Sequence, residues 1–343
     1  MKSLNWFSLL SVLLITLLLQ GCEPAKDDTR VQEVLLQGKT MGTTFTIKVF
    51  VPIEKMQSMN LYSEVTDVLA QVNQSMSTYI PDSEISLFNQ SRTTTPFQIS
   101  DDFRTVVAES IRLGKSTQTL DVTMGPLIDL WGFGPDKHPV NIPADDLIKE
   151  IQKRIGVDKL TLTEQGLAKS IPDLEISFSA IAKGYGIDKV AMLLEQKNLT
   201  NYMVEIGGEL RLSGKKANGD EWVIAIEEPD PTLDERVIHK RLKPGTIAVA
   251  TSGDYRIYYQ LDGQTFAHII SPVTGKPIIQ DLVSVTVLSP SAMTADGIAT
   301  ALLAMGTEQA KMYVETNNIP AYLISKTEQG LATYSSPAFA PYL

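Results

Sequence analysis

Met293 to Gly306 reads MTADGIATALLAMG, and nearly every residue in it is small or apolar. A helix that is hydrophobic on all sides must be covered on all sides, so this stretch predicts a helix packed into a core. Only Asp296, Thr300 and the flanking Thr294 break its apolar character. Residues at i and i+4 share one helical face, so Asp296 and Thr300 present three oxygens toward one point. Two readings fit that spacing. Asp296 caps the helix while Thr300 bonds back to a carbonyl, or the pair holds a hard cation such as magnesium, which takes few protein ligands and keeps places for water and phosphate oxygens.

The rest of the chain supplies the cover. EVLLQGKTMGTTFTIKVFV is rich in β-branched residues and broken at Gly38 and Gly42, which predicts two strands and a turn. Leu61, Val65, Val68, Leu69, Val72 and Met76 recur at helical spacing. A second helix is expected in DDFRTVVAESIRLGKSTQ, capped by Ser100 or Asp101. GPLIDLWGFGPDKHP reads as a surface segment punctuated by Gly and Pro, and Leu147 to Ile155 as a helix. From Leu174 the expected order is strand (LEISF), helix (SAIAKGYGIDKVAMLLEQ) and strand (YMVEI). Short strands follow at VIAIE, GTIAVA, YRIYY, FAHII and LVSVTVL, then the opening helix, a helix around Lys311 and a hairpin near AYLIS. Meandering strands mixed with packed helices predict an α+β fold with antiparallel or mixed sheets. There is no internal repeat and no low-complexity stretch.

Composition excludes several functions. The chain has 343 residues and a formal charge of −10, without a block of like charges, so a phosphate-tracking basic stripe is missing and nucleic acid is not an expected partner. Its sequence contains no G-x-S-x-G, P-loop, H-E-x-x-H or C-x-x-C. The three histidines, His138, His239 and His268, are scattered, which disfavours an imidazole-built metal site. WGFG and GGELRLSG do not complete a dinucleotide fingerprint after a strand. Gly207 and Gly208 in the latter suit either a turn or close backbone approach.

Cys22 is the only cysteine, so an intramolecular disulfide is excluded. Lys2, an apolar run from Trp6 to Leu19 and the ending LQGC form a secretory signal pattern. The ending resembles the lipobox of bacterial lipoproteins, which implies cleavage after residue 21 and lipidation of Cys22. The expected organisation is a signal peptide at 1–21, a lipidated cysteine and polar tether at 22–33, and one domain at 34–343. The body then lies in the bacterial envelope on the periplasmic face, and Glu23 after Cys22 points to the inner membrane.

Eight stretches in order, KTMGTTF, MSTYIPDSEISLFN, LDVTMGPLIDLWGFG, FSAIAKGYGIDKV, VEIGGEL, VATSGDYR, HIISPVTGKP and TADGIATALLAMG, together resemble the ApbE family of FAD:protein FMN transferases. The resemblance implies an enzyme that takes FAD, transfers its FMN half through a phosphodiester to a threonine or serine of an acceptor protein, and releases AMP. It implies acceptors among membrane redox subunits of the Nqr or Rnf type, and Mg²⁺ as the metal. By motif position, Asp296, Thr300 and the backbone carbonyl of Ala180 hold the ion, and Lys183 adds a charge near the phosphates. Met41, Tyr79, Thr119, Leu120, Asp121, Ser177 and Ile270 contact FAD, with Tyr79 suited to stacking and Asp121 to accepting hydrogen bonds. His268, inside a matched motif, deprotonates or positions the incoming hydroxyl, or else only pairs with a phosphate or satisfies a strand carbonyl. For Lys183, Met41 and Ile270, ordinary surface or core roles also fit the residue types. Family members often carry Asp at Ser177, Asp-Pro at Ser271-Pro272 and Ala at Gly297. A FAD-binding lipoprotein without chemistry and a pyrophosphatase giving FMN and AMP are the competing functions.

Overall fold

The computed structural model describes residues 30–134, 141–230, 237–254, 258–261 and 263–343. Cys22 and the expected signal lie outside them. Among the described residues no helix is long and apolar enough to cross a membrane.

An eight-stranded sheet forms the centre, in the order β1-β2-β5-β6-β9-β12-β13-β14, with every described pairing antiparallel. β1 (Val31–Thr40) and β2 (Thr43–Pro52) open the chain as a hairpin. Because β1 begins at Val31, the last residues of the expected tether are already paired, Val31 facing Pro52. The hairpin turns at Met41 and Gly42, both at positive φ (49° and 71°), as a two-residue turn between right-twisted strands requires. Gly38, expected as a break, sits inside β1 opposite Phe45. A β-carbon there would lie 2.5 Å from the Phe45 ring, so the glycine makes room for that ring.

The other central strands are β5 (Tyr202–Ile206), β6 (Glu209–Ser213), β9 (Ala248–Gly253), β12 (Leu282–Ser289), β13 (Ala321–Thr327) and β14 (Gly330–Ser335). Helices α1 (Leu61–Met76), α2 (Glu84–Gln90), α3 (Asp101–Thr117), α4 (Gly125–Leu130), α5 (Asp145–Gln152), α6 (Ala182–Gln196), α7 (Ala292–Met305) and α8 (Thr307–Thr316) complete the main architecture. Ser100 caps α3 as expected, accepting from the Phe103 N–H. The apolar helix read first from the sequence is α7. It lies on β9 and β12 with α3 and α6 packed over it, and its interior residues Ala295, Ala299, Ala301, Leu302 and Leu303 are fully buried. The opposite face of the sheet is closed by Ile226, Leu242, Tyr322 and Phe339, partly through the hairpin of β7 (Ile224–Glu227) and β8 (Ile238–Leu242).

Three expectations need correction. The GPLIDLW segment is not all surface: it forms α4, and Leu127 and Trp131 are buried, Trp131 donating its indole N–H to the Gly275 carbonyl at 2.8 Å. Residues 135–140 of that stretch lie outside the described residues. LEISF is extended but joins no sheet. Asn89 takes the place of a neighbouring strand, its amide bonding both the N–H and the carbonyl of Ile176 at 2.9 Å. A small hairpin of β3 (Leu160–Thr163) and β4 (Gly166–Lys169) was not anticipated, its strands being too short for alternation to show. Residues 255–257 of YRIYY are not described; β10 (Tyr258–Leu261) pairs with β11 (Gln264–Ala267), which ends just before His268.

Candidate active site

The site grows from three elements that meet at α6 and α7. Asp296 does not cap α7. Ser291 does, its hydroxyl accepting from the Thr294 N–H, and Asp296 sits deeper in the helix at 1% exposure. Its Oδ2 accepts the Gly184 N–H at 3.0 Å, and its Oδ1 lies 3.6 Å from the Lys183 Nζ. Lys183 in turn lies 3.0 Å from Glu209 Oε1, on β6. Two buried carboxylates therefore share one ammonium. Burial works against the charge on Lys183, but Asp296 and Glu209 outweigh it and raise the lysine's hold on its proton. Burial pushes Asp296 upward against the pull of Lys183 and the Gly184 N–H. It pushes Glu209 up to about 7, Asp296 adding to the shift and Lys183 opposing it.

Asp188, also on α6, anchors this arrangement. It accepts the Ser291 hydroxyl at 2.7 Å, the N–H groups of Ala292 and Met293 at 3.0 Å, and the Arg211 guanidinium at 2.7 Å. A carboxylate at a helix N-terminus satisfies orphan donors and complements the helix dipole. The start of α7 is thus tied to α6 and, through Arg211, to β6, the strand that carries Glu209.

Asp296 and Thr300 carry oxygen donors of the kind a hard cation takes. Thr300 Oγ1 lies 3.2 Å from the Ser252 hydroxyl, so its oxygen faces β9. Among the described residues no group of three or more His, Cys, Asp or Glu is assembled as a metal site. Magnesium fits the cluster in another way. Two carboxylates face one ammonium, and Glu209 Oε2 is buried without a hydrogen-bond partner in the described structure, so negative capacity is left over.

A cleft of about 250 Å³ is lined by Tyr79, Asn89, Arg92, Asp129, Phe133 and Ser177 among others, and not by Lys183, Asp296, Thr300 or Glu209. Glu175, Ile176 and Ser179 also line it and belong with Ser177 to the segment that precedes α6 and Lys183 along the chain. Tyr79 stands at the mouth, 66% exposed, its hydroxyl pushed upward by partial burial and by Asp129. His268 is half-buried and meets the Phe133 wall edge-on at 6.4 Å between ring centres.

The other expected ligands, Met41, Thr119, Leu120, Asp121 and Ile270, are not among the residues that line the cleft. Thr119 donates to the Ala301 carbonyl at 2.9 Å, and Leu120 is buried with its N–H on Thr117. Asp121 accepts the Thr123 N–H and hydroxyl through Oδ1 and the Val157 N–H through Oδ2, and burial raises its pKa. Met41 packs its Cε where a side chain on Gly186 would have to go. Ile270 is buried in the cluster around Trp131 and bridges to Pro277. Gly207 and Gly208 serve the β5–β6 turn at φ 63° and 105°.

Glu209 and Asp188 were not singled out from the sequence, although both lie in matched stretches. The available signal was a carboxylate on an apolar face: Asp188 shares its helix side with Gly184 and Ala191.

The ApbE family model matches residues 41–323. The chain is 46% identical over 341 residues to the FAD:protein FMN transferase of Vibrio cholerae, covering 99% of both chains. It is 36% identical over 346 residues to that of Escherichia coli K12, covering 98% of this chain and 97% of the relative. Among solved structures, the flavin transferase ApbE from Vibrio cholerae superposes with a TM-score of 0.85 at 45% identity, covering 92% of this chain and all of the other. The apo flavinyl transferase ApbE of Pseudomonas stutzeri gives 0.83 at 34%, covering 91% and 96%. In sequence and in fold along almost its whole length, the chain belongs to the ApbE family.

Proposed function

We propose that this chain is an Mg²⁺-dependent FAD:protein FMN transferase. The observation that carries the reading is the cluster in which two buried carboxylates, Asp296 and Glu209, face the half-buried Lys183, in a chain 46% identical to a transferase of that name. In this reading FAD lies along the cleft with its pyrophosphate toward the start of α6. Tyr79 stacks on a ring of the substrate, and Lys183 places a positive charge on the phosphates. Asp296, Thr300 and the Ala180 carbonyl hold the magnesium. When bound, the ion neutralises charge that builds on the phosphate oxygens during transfer.

The reaction balances without a further reagent. The acceptor's threonine or serine oxygen attacks the phosphorus of the FMN half, and the bond from that phosphorus to the bridging oxygen breaks. AMP leaves with the bridging oxygen. The hydroxyl proton passes to His268, which sits behind Phe133 at the cleft wall.

The acceptor belongs to the class of membrane redox subunits of the Nqr or Rnf type, and Cys22 anchors the enzyme by lipid to the periplasmic face of the inner membrane. Flavin handling in the envelope then occurs where such subunits present their loops.

The test is to incubate the full-length chain in detergent with FAD, Mg²⁺ and an acceptor subunit. Covalent flavin on the acceptor with equimolar AMP supports transfer. AMP and free FMN without acceptor labelling point instead to a pyrophosphatase, and unchanged FAD to a binding protein.

A further inference from the structure

Glu209 has no task in the reaction above, yet it is the most deeply committed partner of Lys183. Its Oε1 is 3.0 Å from the ammonium, whereas Asp296 Oδ1 is 3.6 Å away, beyond hydrogen-bond distance. Asp296 Oδ2 is already taken by the Gly184 N–H. The Asp296 oxygen without a hydrogen-bond partner among the described residues is thus the one that faces Lys183. A divalent ion on Oδ1 and an ammonium beside it repel each other strongly in a buried setting. Glu209 Oε2, meanwhile, is buried and without a hydrogen-bond partner among the described residues. Lys183 retains 28% of its side-chain exposure and so has room to swing, while the two carboxylates do not.

We propose that Glu209 is the alternate seat of Lys183: the ammonium stands in for the divalent ion at Asp296 and withdraws onto both oxygens of Glu209 when the ion binds. Glu209 is then a positioning residue that acts on the metal through Lys183. The inference rests on the magnesium reading of Asp296.

The experiment is a double-mutant cycle on Mn²⁺ affinity, read from the free Mn²⁺ resonance with the full-length chain in detergent and no FAD present. Glu209→Gln leaves the ammonium to Asp296 alone and is expected to weaken Mn²⁺ binding by about tenfold, a size usual for coupled neighbours. In a Lys183→Met background there is no ammonium to withdraw. The same substitution is then expected to change affinity by less than about twofold. Glu209→Asp, which keeps the charge, is expected to recover most of the loss. Circular dichroism verifies each fold, and Lys183→Gln replaces Lys183→Met if the latter fails to fold. Equal losses in both backgrounds overturn the inference alone, since Glu209 then acts on the ion without Lys183. Absence of Mn²⁺ binding by the wild-type chain overturns the magnesium reading and this inference together.

Discussion

Gly184 and Ala292 touch backbone to backbone where α6 meets α7: a β-carbon on Gly184 would lie 2.3 Å from the Ala292 carbonyl oxygen. That closeness lets the Gly184 N–H reach Asp296 and keeps Lys183 beside it. The charged cluster therefore depends on a missing side chain as much as on the charges.

Gly184→Ala forces the two helices apart, because the obstructing atom is backbone and cannot rotate away. Overpacking of this kind costs about 1–3 kcal/mol. Urea unfolding is expected to show a loss in that range together with weakened Mn²⁺ binding. An unchanged midpoint would mean that α6 and α7 separate at little cost.

Asp296→Asn keeps the shape and removes the charge. With Lys183 still paired to Glu209, the fold is expected to persist by circular dichroism while acceptor flavinylation drops by about 100-fold or more. Asp296→Ala is expected to do the same. Retained transfer in either variant would remove Asp296 from the mechanism.

Tyr79 tests the cleft as the FAD site. It is exposed at the mouth, so its loss should not unsettle the core. Losing a stacking partner costs about 0.5–1.5 kcal/mol, so Tyr79→Ala is expected to raise KM for FAD by about three- to tenfold with kcat nearly unchanged. A KM equal to that of the wild type would place FAD elsewhere.

Asp188→Ala removes the acceptor for three groups at the start of α7 and the partner of Arg211. Breaking a largely buried pair of this kind costs about 3–5 kcal/mol. Equilibrium unfolding measures it, and Asp188→Asn is expected to retain part of the stability by keeping an acceptor oxygen. A loss below about 1 kcal/mol would show that Ser291 alone suffices as cap.

Lys169 provides a pH signature. Its buried ammonium donates to the carbonyls of Phe88 and Leu174, on two segments that wall the cleft, and sits over the Phe88 ring. Burial lowers its pKa below the usual 10.5, with Arg92 adding to the effect. The unfolded chain then holds more protons than the folded one between that lowered value and 10.5, so this group's contribution to stability rises with pH across the window. Melting temperature followed from neutral to alkaline pH is expected to climb more, or fall less, in the wild type than in Lys169→Met. Parallel curves would contradict a depressed pKa.

Much of the fold was legible because periodicity is a local property. The Leu61 to Met76 face, the Ser100 cap and the all-round apolar α7 each follow from residues within one or two turns of each other. The segments that misled have partners far along the chain. LEISF looks like a strand until Asn89 occupies its backbone groups, and GPLIDLW looks like surface until Gly275 receives the Trp131 indole.

The same division runs through the site. The sequence by itself determined that a carboxylate and a hydroxyl lie one turn apart on a buried helix, because helical geometry sets that spacing whatever surrounds it. Only the tertiary structure decided what the carboxylate meets: Lys183 and Gly184 from one helix, and Glu209 across the ammonium from a strand. Charge interactions depend on distance through space and on how far water is excluded, and neither is written in the order of the residues.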